Sequence, residues 1–142
     1  MTTRRFSMEV TSAADPDVLD TILGGLDRFN QETAGGTLPI PLNVLLRDEK
    51  DEVVGGLWGH SYFSWLCIEY LFLPTEWRRN GTGRQLIEAA ERAAIYRGCM
   101  GVWLNTFGFQ APGFYERLGY RLFGKLIDCP PGQHRYFYFK RL

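Results

Sequence analysis

The stretch Leu71-Phe72-Leu73-Pro74-Thr75-Glu76-Trp77-Arg78-Arg79-Asn80-Gly81-Thr82-Gly83-Arg84 decides the fold. An apolar run ends at Pro74, two glycines follow at a spacing of two, and an amphipathic run begins at Gln85. This order predicts a strand, a glycine-rich loop and a helix. Backbone N–H groups at such a helix start converge beside the positive end of the helix dipole, which favours an anion. Because Arg78, Arg79 and Arg84 add positive charge, we expect a ligand that bears phosphate.

The loop differs from the two common nucleotide-binding loops. A Walker loop requires a lysine after its last glycine, and this stretch has none. A dinucleotide fingerprint requires a third glycine where this chain has Leu86. Taken alone, Gly81 and Gly83 are also compatible with an ordinary strand-to-helix turn.

Composition limits the classes of function. The 142 residues suit one domain, spanning residues 1–142, and the sixteen basic residues balance the sixteen acidic ones. That balance gives no electrostatic support for binding nucleic acid or a membrane surface. Three separated cysteines and two histidines predict neither a disulfide framework nor a metal site. No apolar segment follows Arg4 and Arg5, so no secretory signal is expected and the predicted location is the cytoplasm.

Hydrophobic periodicity predicts a mixed α/β order. A first strand is expected over Arg4–Val10, and a helix starts at Asp15-Pro16 with the aspartate as N-cap. The remaining predicted strands are 42–47, 53–63, 65–73, 101–107, 120–126 and 135–142, and the remaining predicted helices are 83–97 and 111–118.

Two predicted elements carry expectations about burial. The strand Trp65–Leu73 is almost wholly apolar, so we expect it to be central and buried on both faces. On helix 83–97, the periodicity directs Glu88, Glu91 and Arg92 toward water.

Two motifs resemble the GNAT N-acetyltransferase superfamily. The loop Arg78-x-x-Gly81-x-Gly83 is similar to its Arg-Gly-x-Gly-x-Gly acyl-CoA loop, with Arg79 in place of the first glycine. The segment 111–120, Ala-Pro-Gly-Phe-Tyr-Glu-Arg-Leu-Gly-Tyr, resembles the family's Ala-x-x-x-Tyr-Glu-Lys-Leu-Gly-Phe. Residues 104–107 and 109–112 resemble the corresponding residues of a bacterial GNAT subgroup whose acyl acceptor is poorly defined. The resemblance implies an α/β (α+β) fold with a mixed, mostly antiparallel seven-stranded sheet flanked by helices.

The resemblance also implies acetyl-CoA as the cofactor. The loop would hold its pyrophosphate, and the glycines would leave room for phosphate. Main-chain groups of Leu71 and Leu73 would hold pantetheine and polarise the acetyl oxygen where this strand splays from the next. The implied cofactor contacts are Leu71, Leu73, Arg78, Arg79, Asn80, Gly81, Thr82, Gly83 and Arg84, with Asn105 and Gln110 as further polar candidates.

Two residues are candidates for proton transfer. Tyr115 lies where the family often has a tyrosine facing the CoA sulfur, and a phenol of ordinary pKa ~10 can protonate a thiolate of ~8.5 when held close. Its alternative role is packing with Phe114 and Leu118. Glu69 is the only charge inside an apolar strand, so it could accept the ammonium proton, or it could be exposed or paired with an arginine.

The acceptor pocket is implied by the family's layout rather than by a motif. Arg135 could hold a carboxylate, Glu32 an ammonium, and His60 could act as a base or have a structural role. The candidates are Phe29, Asn30, Glu32, Trp58, His60, Tyr62, Trp77, His134 and Arg135.

The expected function is transfer of acetyl from acetyl-CoA to a primary amine of a small molecule, such as an amino acid, a polyamine or an amino-bearing drug. Acetylation of a protein N-terminus or lysine is an alternative, as is a non-catalytic acyl-CoA-binding regulatory module. GNAT proteins are often dimers, and the aromatic strand Tyr136–Phe139 could form a homodimer interface or lie in the interior.

Overall fold

The computed structural model describes residues 3–142. Contacts divide the chain into two compact units, one running to Gly36 and the other from Thr37 to Leu142. The first unit contains α1, Pro16–Ala34, whose start is fixed as predicted: the Asp15 side chain accepts a hydrogen bond from the Asp17 N–H and Pro16 opens the helix.

The predicted first strand over Arg4–Val10 is wrong, because residues 3–15 form neither helix nor strand. A strand is stable only when a neighbour satisfies its backbone N–H and C=O groups, and no described strand pairs with this segment. The alternation of Phe6, Met8 and Val10 therefore buries no face, and all three side chains are exposed.

The second unit contains six strands and two helices. Their bounds are β1 Ile40–Arg47, β2 Val53–Tyr62, β3 Trp65–Phe72, α2 Thr82–Tyr96, β4 Gly101–Phe107, α3 Pro112–Arg117, β5 Arg121–Ile127 and β6 His134–Arg141. Each lies within two residues of its predicted position. A short 3-10 turn, Thr75–Trp77, precedes α2.

The strands form one mixed sheet of order β1-β2-β3-β4-β6-β5. Only β3 and β4 are parallel, and α2 is the crossover that connects them. The predicted class, a mixed and mostly antiparallel sheet flanked by helices, is confirmed. The sheet has six strands rather than seven, because residues 4–10 do not join it.

The core lies between α2 and one face of the sheet. Ile87, Ala90 and Ala94 of α2 pack with buried side chains of the strands, among them Leu66 and Leu104. Since side chains alternate along a strand, the intervening residues lie on the opposite face, which we call the far face.

One expectation about α2 is wrong: Glu91 is buried, not directed to water. It lies four residues after Ile87 and therefore on the same side of the helix. Its carboxylate is paired with the Lys140 ammonium at 2.8 Å and accepts a hydrogen bond from the Tyr120 hydroxyl at 3.4 Å. The pairing compensates the cost of burying the charge.

Strand β3 is central, as predicted, but it is not buried on both faces. Pairing with β2 skips Glu69, since Gly59 lies opposite Ile68 and Trp58 lies opposite Tyr70. This is a β-bulge, with one extra residue on β3. Leu66, Ile68 and Leu71 therefore all face the core, whereas Glu69 and Tyr70 are exposed.

Candidate active site

The strands β3 and β4 separate halfway along their length. Their pairing runs from Trp65 with Gly101 to Ile68 with Leu104 and then stops, although β3 continues to Phe72 and β4 to Phe107. We call the gap beyond Ile68 and Leu104 the strand opening. It is the splay that the sequence resemblance led us to expect.

The main chain of Leu71 faces the strand opening. The Phe72 carbonyl oxygen lies 2.7 Å from the position that a Cβ on Gly55 would take, so it faces β2. Since carbonyl directions alternate along a strand, the groups of Leu71 and Leu73 face the other way. The Leu73 carbonyl accepts a hydrogen bond from Arg78 Nε at 2.8 Å, which leaves Leu71 as the residue with an open main chain.

The loop before α2 has two residues in the left-handed region. Arg79 has φ +63° and Gly81 has φ +87°. Arg79 is thus held in the conformation that glycine adopts readily at the same place in the family loop. Left-handed residues in a turn gather successive N–H groups into a concave anion site.

Side chains of the loop organise its amides. The Asn80 side-chain oxygen accepts hydrogen bonds from the Thr82 N–H at 3.2 Å and the Thr82 hydroxyl at 2.7 Å. Within residues 3–142, the N–H groups of Gly83 and Arg84 have no partner. These two amides, at the N-terminus of α2, are therefore available to an anion.

The three loop arginines differ in their contacts. Arg78 is bound to the Leu73 carbonyl, and Arg84 Nε contacts the Glu88 carboxylate at 2.9 Å. Arg79 is exposed and makes no ion pair with any described residue. Of the three, Arg79 is therefore the cation most available to a phosphate.

Gly83 also lies against a second helix, while its predicted role in leaving room for phosphate stays a prediction. A Cβ on Gly83 would meet Phe114 Cζ at 3.2 Å, tighter than ordinary van der Waals contact. A Cβ on Gly81 would meet nothing within 4 Å. Glycine at 83 therefore permits contact between α2 and α3, and glycine at 81 permits the turn.

Tyr115 lies in the core on α3, only 6% exposed. Its ring contacts those of Phe114 and Tyr120, with centroids 5.1 and 6.0 Å away. Burial raises the pKa of Tyr115 to about 12, so the phenol is protonated at neutral pH. Its hydroxyl makes no hydrogen bond to any residue between 3 and 142, so the ring packs while the proton remains available.

Glu69 and His60, predicted separately, are in contact. His60 Nδ1 lies 3.0 Å from Glu69 Oε1, and both side chains are partly exposed. Since Glu69 follows core-facing Ile68, its carboxylate lies on the far face, near the buried thiol of Cys67. Burial first and the charge of Glu69 second raise the pKa of that thiol to about 11, so Cys67 remains neutral.

Asn105 and Arg135 form a second contact on the far face. Arg135 Nε donates to Asn105 Oδ1 at 2.6 Å, and the guanidinium lies 4.9 Å from the centre of the Phe107 ring. Asn105 is thus part of β4. Neither motif indicated this pair, because it depends on the register of β4 with β6.

The side chain of Gln110 forms hydrogen bonds within the protein. Its side-chain oxygen accepts hydrogen bonds from the Phe107 N–H at 2.9 Å and the Thr106 hydroxyl at 3.1 Å. These contacts close the end of β4, so its predicted cofactor role remains a prediction that would involve the amide nitrogen.

The remaining acceptor candidates of the second unit lie on several elements. His134 and Arg135 are consecutive in β6, so their side chains lie on opposite faces. The His134 ring contacts Tyr136, and within residues 3–142 its buried Nδ1 has no hydrogen-bond partner. On β2, Trp58 is exposed two residues before His60, and the Tyr62 ring contacts that of Phe63. Trp77 lies in the 3-10 turn before α2. Phe29, Asn30 and Glu32 belong to α1 and remain predictions.

No cluster of three His, Cys, Asp or Glu side chains suited to a metal occurs among residues 3–142. No helix in that range is long and apolar enough to cross a membrane.

Comparison with known proteins identifies the family. The model of the acetyltransferase (GNAT) domain matches residues 42–122, which include the loop, the strand opening and Tyr115. The chain belongs to the GNAT acetyltransferase family. The match lies entirely within the second unit of the GNAT chain.

Relatives with curated names are similar over different lengths. The acetyltransferase Atu2258 of Agrobacterium fabrum is 33% identical over 124 residues, covering 87% of the GNAT chain and 90% of that protein. Blasticidin-S acetyltransferase of Streptomyces morookaense is 46% identical over 85 residues, which cover 59% of the GNAT chain and 62% of the relative.

A solved structure supports the same family. A candidate acetyltransferase from Agrobacterium tumefaciens has a TM-score of 0.91 and 31% identity, and the match covers 96% of the GNAT chain and all of the other.

Proposed function

We propose that this GNAT chain transfers an acetyl group from acetyl-CoA to a primary amine of a small molecule. The observation that carries the proposal is the strand opening, which is bordered by open amides of the α2 loop and by the open main chain of Leu71. These groups suit a phosphate-bearing thioester: the amides accept the anion and the strand can donate to a carbonyl. The relative named for blasticidin S favours a small-molecule acceptor.

When bound, acetyl-CoA supplies the acetyl group as an activated thioester. Gly83 and Arg84 would bind its phosphates through their N–H groups, with Arg79 adding positive charge. Leu71 would orient the acyl end along β3 through its main chain. Together these contacts would fix the position of the reacting carbonyl, which is a large part of the catalysis of acyl transfer.

The two proton-transfer roles fall to separate groups. The contact of Glu69 with His60 provides a carboxylate and an imidazole that can accept the proton of an incoming ammonium, directly or through water. Tyr115 would hold a proton at its hydroxyl for the departing sulfur, since a phenol with a pKa of about 12 stays protonated at neutral pH. Overall, an N–C bond forms, a C–S bond breaks, and the ammonium loses two protons, of which one ends on sulfur.

Thermal unfolding of the pure protein with acetyl-CoA, CoA, ATP or no ligand tests the cofactor. A ligand at one hundred times its dissociation constant adds ~2.7 kcal/mol of stability, which raises the midpoint clearly. We expect a rise with acetyl-CoA and CoA and none with ATP. An absence of any rise at saturating acetyl-CoA would contradict the proposal.

Turnover with a panel of amines tests the reaction, by following release of free CoA thiol. We expect small amines to be acetylated. Cofactor binding without turnover of any amine would indicate a regulatory acyl-CoA-binding module, and turnover only of peptides would indicate a protein acetyltransferase.

A further inference from the structure

The guanidinium of Arg135 is a partly buried cation without an acidic partner in the described chain. The ion pairs within residues 3–142 involve Arg47, His60, Arg84 and Lys140, and none includes Arg135. Burying an unpaired charge is costly, so a cation held in this way usually has a ligand or partner to neutralise it.

Its neighbours hold Arg135 in a defined orientation. Asn105 Oδ1 engages Nε at 2.6 Å, and the Phe107 ring lies 4.9 Å from the guanidinium carbon. Phe107 is itself stacked on Phe109, with centroids 5.2 Å apart and rings nearly parallel. The two terminal nitrogens therefore remain as a fork whose geometry matches a carboxylate.

This fork lies across the strand opening from the Glu69–His60 pair. Asn105 follows Leu104, the last β4 residue paired with β3, and Glu69 follows Ile68, the last β3 residue paired with β4. Both pairs lie on the far face, one with an acidic group and the other with a basic group. Where β3, β4 and β6 are still paired, regular strand spacing places β3 and β6 ~10 Å apart, and the strands separate from there, which leaves room for two long side chains and a small molecule.

We propose that the acceptor carries a carboxylate as well as its amine, and that Arg135 binds this carboxylate while the Glu69–His60 pair receives the ammonium. Asn105 is then a positioning residue, which holds the guanidinium through Nε. The inference rests on the proposed acetyl transfer. It narrows the acceptors to amino acids and other amines that carry a carboxylate, and it excludes polyamines.

Matched pairs of acceptors test the proposal. Glycine, β-alanine, γ-aminobutyrate and lysine would each be compared with the corresponding carboxamide, using kcat/KM for acetylation. We expect at least one acid to exceed its amide by about 10- to 100-fold, the effect of a charge-assisted hydrogen-bonded pair. The substitution Arg135→Gln should remove this preference by lowering kcat/KM for the acids, and Arg121→Gln, at an exposed arginine of β5, should keep it.

A second variant tests the charge without removing the arginine. Asn105→Asp places a carboxylate against Arg135 Nε and should neutralise the guanidinium from within the protein. The preference for acids should then disappear in a folded protein, even if Arg135→Gln destabilises it.

Three results would overturn the proposal. Equal kcat/KM for acids and amides would refute it while the acetyltransferase function stands. Loss of the acetyl-CoA-induced rise in midpoint in Arg135→Gln, with Arg121→Gln unaffected, would assign Arg135 to an anionic group of the cofactor. Failure to acetylate any acid or amide would remove both the proposed function and this inference.

Discussion

Gly83, in the first turn of α2, lies against the ring of Phe114 on α3, where a Cβ would approach Phe114 Cζ to 3.2 Å. The loop that offers amides to an anion is therefore packed directly on the residue that precedes Tyr115. Since close-packed groups transmit displacement, binding at the loop and the position of the phenol are mechanically connected.

Enlarging Gly83 should reveal this contact. We expect Gly83→Val to lower the free energy of unfolding by about 1–3 kcal/mol through overpacking, and to weaken acetyl-CoA binding because α2 and its amides must shift. Denaturant unfolding and the ligand-induced midpoint shift measure the two effects. When Phe114→Leu is combined with Gly83→Val, part of the lost stability and part of the lost acetyl-CoA binding should return. If the effects of the two substitutions simply add, the two positions are not coupled.

Removing the phenol of Tyr115 should separate catalysis from binding. Tyr115→Phe keeps the ring that packs with Tyr120, so the fold and the acetyl-CoA midpoint shift should be retained. Turnover should fall by about 10²- to 10⁴-fold, the usual loss when a general acid is removed. Tyr96→Phe, at an exposed tyrosine of α2, is the matched control. Full activity in Tyr115→Phe would eliminate the tyrosine from the mechanism.

The contact between His60 and Glu69 should make their substitutions non-additive. Glu69→Gln and His60→Gln should each lower kcat with amine acceptors by about 10²-fold or more, and the double variant should be little worse than either single one. Steady-state kinetics measure this, with Glu49→Gln in the exposed β1–β2 turn as the control. If the two losses multiply, the residues act independently.

Alkaline pH should destabilise the protein through its buried tyrosines. Burial raises the pKa of Tyr115 to about 12, and burial together with the Glu116 carboxylate raises that of Tyr138 to about 12. Because the folded pKa exceeds the ordinary value of ~10, the folded state binds more protons between pH ~10 and ~12. The contribution of each tyrosine to the free energy of unfolding is therefore fully present below pH ~10 and is lost as pH rises toward 12. For Tyr115 this loss is on the order of 3 kcal/mol.

Denaturant midpoints measured across this range, with phenolate absorbance followed in parallel, check the prediction. Tyr115→Phe should flatten the decline, whereas Tyr96→Phe should not. An equal slope in both variants would show that Tyr115 ionises as readily in the folded chain as in the unfolded one.

Residues that mark the ends of helices and strands were sufficient to predict most of the order of these elements from the sequence. Pro74 ends the β3 segment, Gly81 permits the turn before α2, and Gly98 follows its last turn in the left-handed conformation, with φ +79°. Such residues act within a few positions of themselves, so they can be interpreted in a sequence. The same limit explains the error at Arg4–Val10, where the alternation was local but the necessary partner strand was missing.

The features that assemble the site depend on contacts between distant segments. The pairing of Glu69 with His60 depends on the register of β3 with β2, in which His60 lies opposite Cys67. Arg135 meets Asn105 through the register of β4 with β6, and Gly83 meets Phe114 across two helices. The motifs therefore predicted Tyr115 and the loop, but not which side chains lie together.

Glu69, the extra residue in β3, supplies a carboxylate that the hydrophobic core does not need. Deleting Glu69 would restore an unbroken ladder between β2 and β3, with Leu66, Ile68 and Leu71 in regular alternation on the core face. Such a chain would keep its core strands and the core-facing position of Leu71, but it would lose the carboxylate that contacts His60. Loss of one residue would therefore yield a folded relative that lacks the proposed acceptor base.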